Sequence, residues 1–156
     1  MFLLRITQAL ADADIDYALV GGYAVALHGA VRGTVDIDIV IRQRREDYIG
    51  VEQALIDVGL QSRLPVSAAD VFNFRKEYIT KRNLLAWSFY NPSNPAELVD
   101  VIINEDLGNF KTSTIRIQGE RVVIISRDDL IALKEKSGRP QDLEDVRALR
   151  RISKGK

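Results

Sequence analysis

Apolar positions along the chain follow two rhythms. Leu3, Ile6 and Leu10 recur at helical spacing, and Asp12, Asp14 and Asp16 end that pattern, which predicts an opening helix over residues 2–11. Tyr17-Ala18-Leu19-Val20 then runs into Gly21-Gly22, a strand stopped at a glycine pair, and Tyr23 to Leu27 suits a buried helix before His28-Gly29. Asp36-Ile37-Asp38-Ile39-Val40-Ile41 alternates charge with β-branched residues and predicts a second strand. Tyr48, Val51, Leu55 and Val58 lie on one face of a helix that Gly59 ends.

Residues 60–81 are less regular. Leu64-Pro65 and Ser67 to Asp70 predict turns and a short helix from Asp70. Leu84 to Tyr90 reads as a buried strand, Asn91-Pro92-Ser93-Asn94-Pro95 as a turn, and Leu98 to Ile103 as the returning strand of an antiparallel hairpin. Thr114 to Ile117 and Val122 to Ile125, joined through Gln118-Gly119-Glu120, predict another hairpin or strand pair. Ser126 with Asp129 has the form of a capping box for a helix through Lys136. Gly138 and Pro140 break that helix, and Leu143, Val146 and Leu149 mark a last one. The pattern is α/β (α+β) with a mixed central sheet flanked by helices.

The length of 156 residues fits one domain, 1–156. A formal charge of zero leaves no global field to draw the chain onto nucleic acid or membrane, so such affinity needs local patches. No cysteine and one histidine exclude disulfides, cysteine zinc sites and histidine-cluster metal chemistry within one chain. Arg5 interrupts the amino-terminal apolar run too early for a signal peptide, and no run approaches membrane-spanning length, so a cytoplasmic protein is expected.

The chemistry concentrates between Gly21 and Asp38. Glycine lets a ligand approach the backbone closely, and a helix N-terminus favours phosphate. Asp36 and Asp38 share a strand face with Cα atoms roughly 6.5–7 Å apart, a spacing that suits a pair of divalent cations. The same acids also suit the solvated face of an edge strand. Asp100, set among Val and Ile, needs a cation or an arginine partner.

Gly21-Gly22, thirteen intervening residues and Asp36-Ile37-Asp38-Ile39, followed by Asp100 on a later strand, resemble the DNA polymerase beta-like nucleotidyltransferase superfamily. With Ala24 to Gly29, Arg32 and Thr34, the string is most similar to a small bacterial branch holding AbiEii-type and MenT-type toxin nucleotidyltransferases. This resemblance implies two Mg2+ ions, replaceable by Mn2+, held by Asp36, Asp38 and Asp100, with Asp100 helping to deprotonate the attacking hydroxyl. It implies an NTP as substrate, with Gly21, Gly22, Arg32, Thr34 and Lys134 as nucleotide-binding residues and pyrophosphate as leaving group. It makes RNA or tRNA the first acceptor to expect, then protein or small-molecule hydroxyls, and it raises a toxin–antitoxin or phage-defence role. Lys134 with Arg139, Asp142 and Asp145 resembles the carboxy-terminal pattern of that branch, while Gln141 stands where a lysine is common.

Two rivals stand beside this reading. An antitoxin-like minimal nucleotidyltransferase acting with a protein partner fits the small size. An antibiotic-modifying nucleotidyltransferase fits the motifs but ordinarily needs an extra helical domain. Arg32 and Lys134 also suit solvated surface positions, as do Arg42, Arg44, Arg45 and the tail cations Arg147, Arg150, Arg151, Lys154 and Lys156.

Overall fold

The computed structural model describes residues 1–33 and 36–154. Its elements, in chain order, are α1 (Phe2–Asp12), β1 (Tyr17–Val20), α2 (Gly21–Leu27), β2 (Asp36–Ile41), α3 (Arg45–Asp57), β3 (Gln61–Ser62), α4 (Ala68–Asn73) and α5 (Arg75–Arg82). They continue as β4 (Ala86–Asn91), β5 (Asn94–Ile102), a 3-10 turn (Leu107–Asn109), β6 (Thr112–Ile117), β7 (Glu120–Ile125), α6 (Arg127–Ser137) and α7 (Pro140–Lys154). The strands form one mixed sheet in the order β3-β4-β5-β2-β1-β7-β6.

Three local signals act as the sequence predicts. The Ser126 side chain accepts from the Asp129 amide and caps α6. Gly138 closes that helix in the left-handed conformation, and Pro140 opens α7, where a missing N–H costs nothing. Gln118 and Gly119 both have positive φ, as a two-residue turn between twisted strands requires, and they join β6 to β7.

Alternation in the strands separates two cores. Ile37, Ile39, Val99, Val101, Trp87 and Phe89 face α1, α3 and α4 in the larger cluster. There Trp87 stacks on Tyr48 with ring centroids 5.5 Å apart and donates to Ser62 Oγ at 2.9 Å. Ala18, Val20, Val40 and Ile125 face α2, α6 and α7 in the smaller one. Asp36, Asp38 and Asp100 lie on this second face, in register with its apolar positions.

Two expectations change. The strand anticipated from Leu84 begins at Ala86, because Leu84 and Leu85 belong to the connection that follows α5. The face of α7 is rotated from the leucine stripe: Leu143 is 42% exposed, whereas Asp142, Asp145, Val146 and Leu149 are buried. Charge pairing to α6 sets that rotation.

Candidate active site

Strand β2 lies between β1 and β5, antiparallel to the first and parallel to the second. Register pairs Asp38 with Val20 on one side and with Asp100 on the other, while Asp36 pairs with Leu98. Partners in register present side chains on one face, so the three acids share a side of the sheet. Ser88, opposite Asp100 on β4, donates its hydroxyl to Asp100 Oδ1 at 2.6 Å.

The glycine corner closes over this row. Gly21 has φ +67°, a conformation a side chain resists, and a Cβ there would lie 2.0 Å from Asp38 Oδ2. Asp38 Cβ itself would be only 3.0 Å away, so the carboxylate has no room to swing clear. Glycine at this position is what allows backbone and acid to meet. The expected helix-dipole seat is weaker than anticipated, because α2 has only seven residues. Close backbone approach is the main contribution of the pair.

Burial pushes the Asp38 carboxyl up to about 7, with the charges of Asp100 and Asp36 adding to the effect. In its protonated form Asp38 is hydrogen-bonded to Asp100. Lys134 acts in the opposite direction and does not cancel the rise. Among the described residues no three acidic or histidine side chains stand in a finished metal-binding arrangement. The donor set nevertheless has the right chemistry for a divalent ion: carboxylate oxygens crowded until a proton must be shared, beside a backbone corner that excludes any side chain.

Lys134 reaches the edge of this site from α6. It is 8% exposed, with Nζ 3.1 Å from Asp145 Oδ2 and 3.4 Å from Asp142 Oδ1. Asp145 Oδ2 lies off-line for a hydrogen bond, so that contact is an ion pair. Asp145 Oδ1 accepts from Arg32 Nε at 3.1 Å and from Gln141 Nε2 at 3.0 Å. Asp142 accepts from Arg139 Nε at 2.8 Å. Burial works against the Asp142 charge, but the Arg139 hydrogen bond and the nearby Lys134 charge hold its carboxyl below the usual range. Asp142, through its hydrogen bond and its charge, raises the Arg139 guanidinium, and the Asp38 charge adds to the rise.

The structure thus brings Gly21, Gly22, Asp36, Asp38 and Asp100 together, with Lys134 alongside. Arg32 points to Asp145, and Thr34 lies outside the described residues. His28, read as structural, donates Nε2–H to the Ile125 carbonyl at 2.8 Å. Sequence reasoning did not single out Ser88. It included Arg139, Asp142 and Asp145 in a pattern without foreseeing their burial, although their spacing of three places them along one helix face.

A family model for aminoglycoside-2″-adenylyltransferase matches residues 2–85, more than half of the chain, including the glycine pair, Asp36 and Asp38. The chain belongs to the aminoglycoside-2″-adenylyltransferase family. Solved structures with the same fold include the lincosamide antibiotic adenylyltransferase LnuA, lincomycin-bound, at TM-score 0.63 and 15% identity, covering 97% of this chain and 96% of that one. ANT(2″)-Ia in complex with adenylyl-2″-tobramycin is similar at TM-score 0.58 and 15% identity, covering 94% and 84%. An antigenic nucleotidyltransferase-like protein from Paracoccidioides brasiliensis gives TM-score 0.55 and 19% identity, covering 95% and 72%. A search among curated proteins finds no significant match. Membership in the adenylyltransferase family and the shared fold make this chain a nucleotidyltransferase. The AbiEii-type and MenT-type branch finds no support in these comparisons. Among the described residues no helix is long and apolar enough to cross a membrane.

Proposed function

We propose that this protein is a cytoplasmic, single-domain, divalent-metal-dependent nucleotidyltransferase that moves a nucleoside monophosphate from an NTP onto a small-molecule hydroxyl. The observation that carries the reading is the Asp38–Asp100 pair in register beneath Gly21. Family membership and the antibiotic-modifying relatives favour a small acceptor over RNA.

Asp36, Asp38 and Asp100 are the residues that would hold Mg2+ or Mn2+. Bound there, such ions supply charge neutralisation and polarisation of the α-phosphate. Gly21 and Gly22 offer backbone to the nucleotide at close range. Lys134 and Arg139, the cations whose charges Asp38 feels, suit the leaving pyrophosphate. Arg32 stands on the approach to β2. Asp100, already accepting from Ser88, accepts the proton of the attacking hydroxyl. In-line displacement then depends on positioning and charge, with no covalent enzyme intermediate.

The test is transfer of label from each α-labelled NTP, with Mg2+ or Mn2+, into tobramycin, lincomycin, a metabolite extract and total RNA. Metal-dependent product in a small-molecule fraction, absent with Asp36→Ala plus Asp38→Ala, is expected. Product confined to RNA would return the reading to the toxin-like resemblance. Product appearing only with a co-purified protein would return it to the antitoxin-like alternative, and no product at all would remove the proposal.

A further inference from the structure

Alongside α7, the stretch holding Val31 and Arg32 and the outer side of the helix form a cleft of about 330 Å³ whose lining includes none of the three acids. Three guanidinium groups line it, those of Arg32, Arg147 and Arg151, against the carboxylates of Glu144 and Asp145. Asp145 is already compensated by Arg32 and Lys134, each at 3.1 Å. Arg147 and Arg151 are exposed and have no ion-pair partner among the described residues. They stand four residues apart on one helix, where like charges cost stability. An anion between them would reverse that cost.

We propose that this cleft is a phosphate-binding site distinct from the three catalytic acids. The guanidinium fork matches phosphate oxygens in pairs, and Arg147 and Arg151 are uncommitted to any carboxylate. The volume suits a phosphate or pyrophosphate group with part of the molecule that carries it. Glu144, on the same helix, opposes the anion and lowers its affinity. The phosphate belongs either to the tail of the nucleotide or to a phosphorylated acceptor. A polycationic acceptor is repelled from this cleft.

Calorimetric titration with inorganic pyrophosphate, without divalent metal and at low salt, tests the proposal independently of the transfer reaction. Binding is expected to weaken at least tenfold in Arg147→Gln plus Arg151→Gln, to weaken with added salt, and to persist in Asp36→Asn plus Asp38→Asn. ATP and ribose 5-phosphate serve as competitors. Displacement by ATP assigns the site to the nucleotide tail, and displacement by ribose 5-phosphate assigns it to the acceptor. Absence of binding, binding indifferent to the two arginines, or displacement by neither competitor overturns it.

Discussion

Asp38→Asn separates what the acid does for catalysis from what it costs the fold. The folded carboxyl titrates at about 7 against an ordinary 3.8, with burial as the largest cause and Asp100 and Asp36 next. Between those values the folded state holds a proton that the unfolded chain has released, so stability falls as pH rises from about 4 to about 7. At about 1.4 kcal/mol per decade the ceiling is about 4 kcal/mol, and water reaching the half-buried site reduces it to roughly 2–3 kcal/mol. Asparagine has the same shape and carries no charge. The variant is therefore expected to be about 2–3 kcal/mol more stable than wild type at pH 8, nearly equal to it at pH 4, and inactive. For a chain of this size that corresponds to a rise of roughly 4–12 °C in Tm at pH 8. Urea unfolding of both proteins from pH 4 to pH 8 measures it, and Mn2+ at pH 8 should stabilise wild type far more than the variant. Parallel stability–pH curves for the two proteins would refute the electrostatic account of the site.

Two further substitutions probe its walls. Gly21→Ala places a methyl group against Asp38 at a backbone angle alanine resists, so a loss of about 1–3 kcal/mol is expected, together with loss of nucleotide binding, measured by denaturant unfolding and calorimetry. Lys134→Met leaves Asp142 and Asp145 buried with Arg139 and Arg32 as their remaining cations, and should cost about 3 kcal/mol. Adding Asp145→Asn to Lys134→Met should recover part of that cost, whereas strict additivity of the two would deny that they share one network.

The acidic face of the sheet was legible because its rules are local. Alternation alone places Asp36 with Asp38, the glycine pair ends β1, and Ser126 announces α6 through its own hydroxyl. Other elements carry weaker signals. Helix α5 buries none of its residues, so no periodicity marks it, and β3 has only two residues. Sheet order depends on pairings far apart in sequence, above all Asp38 beside Asp100. On α7 the expected Val146 and Leu149 are buried, but Leu143 is exposed and Asp142 and Asp145 are buried beside them. A carboxylate is admitted there by Lys134 from another helix, and that compensation is not visible in the α7 sequence itself.

The contact between Gly21 and Asp38 also ties two distant codons together. While the acid is kept, a side chain at position 21 meets both the carboxylate and an unfavourable backbone angle; once the acid is lost, only the milder backbone penalty remains. Descendants that abandon chemistry should therefore erode at both positions in a fixed sequence, the acid first and the glycine afterwards, leaving a genetic record of when catalysis stopped.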